Sequence, residues 1–195
     1  MTSSSLVTFD TAGFEPCGRG QWFVPRHPYV VVLTAHDALP PSAAWLDELD
    51  VMRGELARRY AAKGQLIEAD SVSVGAVRAL YTLVKEPIPG REHGFRFRAS
   101  FLLAKRARTV VLRGQFDEWD ITGMRESLVL LRRGVSLDDD PRHPYAPELR
   151  FHPSDDAAWD FLLPEHPLTT ARTWARTVRE SAVVDPDFAA EPDYA

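Results

Sequence analysis

A chain of 195 residues with 45% hydrophobic and 26% charged side chains has the composition of a globular protein able to bury a core without covalent staples. Its one cysteine, Cys17, excludes an internal disulfide, and its longest apolar run, Tyr29 to Leu33, is far too short for a membrane span. The net charge of −5 is unevenly placed: residues 1–136 carry 18 Lys and Arg against 15 Asp and Glu, whereas residues 137–195 carry 5 against 13.

The opening MTSSSLVTFD has neither a basic region nor an apolar stretch, so it does not read as a secretory leader, and the expected location is cytoplasmic. The excess of arginine over lysine and the abundant alanine point to a GC-rich bacterial genome. Residues 6–14 and 18–22 read as a strand, a turn and the start of a second strand. Tyr29 to Leu33 is continuous rather than alternating, the pattern of a strand buried on both faces. Pro40-Pro41-Ser42 then opens a helix, with Ser42 as its cap. Trp45, Leu49, Met52, Leu56 and Tyr60 fall on one face of that helix, and Gly64 ends it. Asp47, Glu48 and Asp50 near its start and Arg58, Arg59 and Lys63 near its end match the helix dipole.

Residues 65–87 contain one or two strands, closed by the turn Pro87-Ile88-Pro89-Gly90. In GFRFRASFLLA, Phe95, Phe97, Ala99 and Phe101 point one way, while Arg96, Arg98 and Ser100 point the other. The basic turn at 105–108 leads to TVVLRGQF, its antiparallel partner, whose Arg113 joins the polar face. Residues 116–120 close the sheet. A second helix follows over 120–134, capped by Asp120 or Thr122, with Leu128 and Leu131 as its apolar stripe. After Gly134 an Asp- and Pro-rich connector leads to two short helices near 155–163 and 169–181, each with a tryptophan to bury, Trp159 and Trp174. The last eleven residues, DPDFAAEPDYA, read as disordered. The fold class is therefore α+β: a twisted antiparallel sheet flanked by helices, an α/β/α sandwich. The main domain covers 1–136 and a C-terminal helical extension covers 137–195.

Little in the chain spells chemistry. RHPY occurs at 26–29 and again at 142–145, but the first copy enters an apolar strand and the second lies in an acidic connector, so it is no repeat. Four of the six histidines precede proline, which marks extended or turning backbone. His143, His152 and His166 with the nearby aspartates (138–140, 155, 156) lack the tight spacing of a zinc site, and no metal or cofactor is expected. Cys17 with His27 or His36 could form a nucleophile and base, although no third, orienting residue is apparent. No phosphate loop, nucleophile elbow or dinucleotide fingerprint occurs. The hairpin arginines invite a nucleic-acid reading, but the alternation puts the phenylalanines on the opposite face, where they cannot stack with bases.

The order strand, strand, helix, antiparallel meander, long hairpin and closing helix MRESLVLLRR resembles the PsbP/DcrB-like fold over about residues 5–135. That resemblance implies an α/β/α sandwich of the kind used by non-catalytic binding modules, some of them chaperones or small partners of larger complexes. It carries over no catalytic residues. The function expected is a non-catalytic protein-binding module, an adaptor or chaperone, with Arg96, Arg98 and Arg113 as the polar receiving face and Trp159 and Trp174 anchoring the tail. The acidic tail would cover that face or extend it. The alternative is a small-molecule-binding or enzymatic domain with a pocket near Cys17, His27 and His36. A protein partner is expected and nucleic acid is not; a short apolar edge could also pair two chains into a homodimer.

Overall fold

Four consecutive apolar-rich segments between residues 65 and 117 build one half of a seven-stranded antiparallel sheet. The computed structural model describes residues 6–37, 48–119, 122–134 and 142–193. The sheet strands are β2 (Glu15–Gly18), β3 (Gln21–Phe23), β4 (Tyr29–His36), β5 (Gln65–Val74), β6 (Val77–Pro87), β7 (Phe95–Ala104) and β8 (Thr109–Asp117). Their order is β2-β3-β4-β8-β7-β6-β5. The β7–β8 hairpin pairs Arg96 with Asp117 at one end and Ala104 with Thr109 at the other, as the alternation in both segments predicts. Phe97, Ala99, Phe101 and Leu103 are fully buried on one face.

Helix α1 (Leu49–Ala61) lies on the other face, where Met52, Leu56 and Ala57 pack against Leu66, Leu80, Val84 and Leu102. Its apolar spacing is the one read from the sequence, with Leu49 and Tyr60 at the margins. Ser42, Trp45 and Asp120, expected as caps or core, lie outside the described residues. Because α1 covers the β5–β6 side, β4 is not buried on both faces as its continuous apolar run implies. Tyr29, Val31 and Leu33 are buried, while Val30, Val32 and Thr34 are half-buried.

The face holding Phe97 and Phe101 is covered by helix α3 (Pro167–Ser181), which buries Leu168, Ala171, Trp174, Ala175 and Val178 at three- and four-residue steps. Trp174 sits 5.9 Å from Phe101 and 5.8 Å from Phe116, ring centre to centre. Gly114 makes room for it: a Cβ there would lie 2.8 Å from the indole and 2.6 Å from the Phe116 ring. The C-terminal segment is thus one layer of the sandwich. The boundary drawn at 136 separates no unit, because the core on this face needs residues from both sides of it. The two-stranded sheet of β1 (Val7–Thr8) and β11 (Val183–Val184) ties the two regions together again.

Two other expectations change. The end of the chain was read as disordered, yet Pro186–Ala189 forms a helical turn, α4, and Phe188 is fully buried against the core. Helix α2 (Met124–Arg133) turns its predicted stripe outward: Leu128 is 37% and Leu131 79% exposed, while Arg125 and Val129 are 1% exposed. Its first turn is entered through Gly123 in the left-handed region, φ 77°, with no side-chain cap. The inversion follows from the partners that Arg125 finds, described below. The remaining elements are the small hairpin β9 (Arg142–His143) and β10 (Ala146–Arg150), and 3₁₀ turns at Pro153–Asp155 and Ala157–Leu162. Among the described residues no helix is long and apolar enough to cross a membrane.

Candidate functional site

Two of the three arginines of the hairpin face are already occupied. Arg96 makes two hydrogen bonds of 2.8 Å to the Asp117 carboxylate directly opposite it in the register. That bonding to Asp117, stronger than the opposing effect of burial, holds the Arg96 guanidinium above its usual pKa. Arg98 pairs diagonally with Glu86 at 2.7 Å. Arg113 is exposed; partial burial and then the Arg98 charge lower its pKa, which makes it the least comfortable cation of the three. The acidic tail docks elsewhere. Glu191 pairs with Arg108, Asp193 with Lys105 at 2.6 Å, and the Arg106 N–H donates to the Pro192 carbonyl, so the tail seals the basic turn of the hairpin.

Cys17, His27 and His36 do not form a site. His27 and His36 bracket β4, about 30 Å apart at the usual strand rise. Cys17 is exposed on the edge strand β2. The register sets Cys17 level with Val31 and Val32 two strands away, four or more residues from either histidine, so neither serves the thiol as a base.

The histidine-proline pairs have a common physical role at three of four places. In each, the imidazole Nδ1 accepts the backbone N–H two residues ahead: Tyr145 for His143, Ser154 for His152 and Leu168 for His166, at 3.1–3.2 Å. Extended backbone before proline aims the ring at that amide, much as an Asp or Ser side chain caps a helix. Because Nδ1 accepts, the proton of neutral His143 sits on Nε2 and donates to the Leu66 carbonyl at 2.6 Å. The Nε2 of His166 lies 3.0 Å from the fully buried Glu118 carboxylate, poorly aligned for a hydrogen bond, so that contact is chiefly electrostatic. Glu118 is fixed in turn by the Phe95 N–H at 3.0 Å. These histidines are capping devices, with no lone pair to offer a metal or a substrate proton from Nδ1.

His27 is the exception. It is exposed and stacks on Tyr29, ring centres 5.3 Å apart and planes 12° apart. It closes the turn Val24–His27, in which the His27 N–H donates to the Val24 carbonyl at 3.2 Å. Pro25 takes the second position of this turn and Arg26 the third, where φ is 68°. Glycine is the residue that normally occupies such a position. Arg26 is the one non-glycine residue with positive φ among those described, and strain of this kind gathers at functional sites.

The turn forms one rim of a cavity of about 560 Å³. Phe23, Tyr29 and Trp119 give it aromatic walls; Arg26, His27, Asp117 and Glu165 supply its polar groups. Trp119, 52% exposed, is held by the Arg91 guanidinium stacked 3.7 Å over its ring. The Tyr29 phenol is pushed above its usual pKa, first by burial, with the Glu165 charge adding to it against a hydrogen bond from Thr170. It therefore stays neutral and presents a ring. Three chain regions meet here, around residues 23–29, 117–119 and 165–167.

A second cavity, about 610 Å³, lies beside α3 and includes Trp159, Phe151, Glu68, Asp155 and Arg172. Its charged wall belongs to a buried network. Lys85 is 3.0 Å from both Asp155 and Glu126. Arg125 donates to the Ser154 and Asp156 carbonyls, to Thr169 Oγ1 and to Asp160. Arg172 bridges Glu68 and Asp160 and donates to the Asp155 carbonyl. Burial alone would lower the Lys85 ammonium, but Asp155 and then Glu126 outweigh it and hold its pKa up. Burial alone would raise Glu126, but Lys85 outweighs it and holds the carboxyl low. These charges pair with one another, while the side chains of the exposed Arg133 and Arg142 on the same cavity wall make no hydrogen bond or ion pair among the described residues. The sequence reading missed the whole network; its visible traces are single charges set within apolar runs, such as Lys85 in YTLVKEP. The predicted anchors divide: Trp174 is in the core and Trp159 is a half-buried wall of this second cavity.

No family model matches this chain, and no curated protein or solved structure matches it either.

Proposed function

We propose that the chain is a non-catalytic binding module that takes a small ligand with a flat apolar body and an anionic group in the cavity at the β3–β4 turn. One observation carries the reading: Arg26 and His27, with no hydrogen bond or ion pair from their side chains among the described residues, stand at the mouth of an aromatic-walled cavity, whereas Arg96 and Arg98 are paired off. Apolar walls with a few converging polar groups are what small-molecule sites present. Chemistry on the ligand is disfavoured because neither ring nitrogen of His27 has a partner among the described residues to orient it, and of the two rim carboxylates Asp117 is already taken up by Arg96.

The test is a thermal-shift panel of aromatic carboxylates and aryl phosphates. A ligand held at a hundred times its Kd stabilises the native state by about 2.7 kcal/mol. Trp119→Ala and Arg26→Gly should each abolish the shift while leaving the fold intact. Arg26→Gly carries a second signature: it relieves the left-handed strain, worth about 1 kcal/mol, so the unliganded variant should melt no lower than the parent. A panel without any hit, or a hit indifferent to both substitutions, would sink the proposal.

The expected protein-binding module survives as a second reading, favoured by one feature. The stripe Met124, Leu128 and Leu131 stands outward on α2, an apolar face of the kind that receives a partner helix. The PsbP/DcrB-like resemblance, with its non-catalytic members, accords with either reading.

A further inference from the structure

β5 is a terminal strand, so one row of its backbone groups faces away from the sheet. Half of that row is plugged. The His143 imidazole donates to the Leu66 carbonyl, the Ala69 N–H reaches the Tyr145 hydroxyl at 3.5 Å, and Arg53 donates to the Ala69 carbonyl at 2.8 Å. The second RHPY segment, His143 and Tyr145, is thus an edge plug. These contacts also establish the parity: Ala69 faces outward, and so do Ser71 and Ser73. The two-residue turn that pairs Val74 with Val77 agrees, since it turns Val74 inward.

Beyond Ala69 the plug ends. The Ser71 N–H is taken by its neighbour, Asp70 Oδ1, at 2.8 Å. The Ser71 carbonyl and both backbone groups of Ser73 have no hydrogen-bond partner outside the sheet among the described residues. They border a groove of about 430 Å³ between β5 and α3, walled by Arg176 and Arg179 with Glu180 as its one carboxylate. Both arginines are exposed and make no hydrogen bond or ion pair among the described residues. Open strand groups beside two uncommitted cations define an occupant by its chemistry: extended backbone to continue the sheet and carboxylates to meet the guanidinium groups.

We propose that the Ser71–Ser73 edge of β5 binds an acidic segment of a partner protein as an added strand, with Arg176 and Arg179 as its charge readers. This site is separate from the β3–β4 cavity and does not depend on it. Natural sheets blunt such edges, and here the blunting stops where the arginines begin.

The probe is a fluorescein-labelled octapeptide alternating glutamate and valine, titrated against the full chain by anisotropy. Its lysine-for-glutamate counterpart and a fully N-methylated copy serve as comparisons. The expected result is saturable binding of the acidic peptide, at least tenfold weaker binding of the other two, and slowed exchange of the Ser73 amide in the complex. Arg176→Glu combined with Arg179→Glu should weaken binding at least tenfold, and both sites are exposed, so the fold is kept. Ser73→Pro, which removes the outward N–H, should do the same; if that variant fails to fold, the arginine pair still decides. Equal binding of the N-methylated peptide would mean ionic adsorption and overturn strand addition. Binding indifferent to the arginine reversal, or none at millimolar peptide, would overturn the site.

Discussion

Replacing Arg125 by methionine should destabilise this protein more than any substitution on the outward face of the same helix. Arg125 is 1% exposed and donates four hydrogen bonds, which join α2 to both 3₁₀ turns and to Thr169 on α3. Methionine keeps the aliphatic shaft and removes every donor. Breaking a buried ion pair from one side costs about 3–5 kcal/mol, because the remaining charge is stranded. Asp160 is not fully stranded here, since Arg172 still reaches it at 2.9 Å. Against that relief stand the orphaned Ser154 carbonyl and the Thr169 hydroxyl, each costing about 1–3 kcal/mol if no water reaches it, while the Asp156 carbonyl keeps the Trp159 N–H. A loss of about 3–4 kcal/mol is expected, or roughly 10 °C in Tm for a chain of this size. Urea denaturation followed by circular dichroism reads it directly, as a lower midpoint at unchanged slope. Leu131→Asp on the opposite side of α2 is the internal control and should lie within about 0.5 kcal/mol of the parent. If Arg125→Met costs under about 1 kcal/mol, or Leu131→Asp costs more than that, the inside-out account of α2 is wrong.

Gly114→Ala drives a methyl group into the Trp174 ring and should cost about 1–3 kcal/mol, visible as a changed tryptophan emission in the folded state. His166→Asn keeps an acceptor for the Leu168 N–H, so it should be milder than His166→Ala by about 1 kcal/mol in the same urea assay. The Lys85 pairs give a pH signature. Glu126 is held low in the fold, so its share of stability is complete above its unfolded value, about 4.3, and is lost as pH falls through the lower folded value. Lys85 is held high, so its share is complete below about 10.4 and is lost as pH rises through the folded value. The stability gap between parent and Lys85→Met should therefore be widest near neutrality and shrink towards both extremes; a gap constant from pH 3 to pH 7 would refute the pairing.

What could be read without coordinates was whatever depends on neighbours in the chain. The Phe95–Phe101 alternation and the basic turn predict the β7–β8 hairpin, and the spacing of Leu49, Met52, Leu56 and Tyr60 predicts the inner face of α1. The α2 stripe misleads because helical periodicity assumes that charges face water. Arg125 instead finds acceptors 29 to 44 residues away, which no local pattern encodes. The network is long-range throughout: Arg172 and Glu68 are 104 residues apart and Lys85 and Asp155 are 70 apart. Of the β3–β4 cavity, only the Arg26-His27 turn was visible locally, since Trp119 and Glu165 arrive from distant parts of the chain. His27 was singled out with companions that the fold places elsewhere. His143 and Tyr145 show the opposite failure: a motif repeated by chance whose second copy does structural work at a sheet edge.

The late position of α3 in the chain has a consequence for biosynthesis. All seven strands of the large sheet have been made by Asp117, yet the side chains that cover Phe97, Phe101 and Phe116 come only with residues 168–188. For the intervening fifty residues of translation, the emerging sheet presents a wet aromatic face and an open β5 edge, the two features that most invite aggregation. This layer of the fold must therefore wait until Phe188 has been made. A nascent chain stalled after Gly134 should be bound by ribosome-associated holdases, whereas one that has exposed residues 168–188 outside the ribosome should escape them.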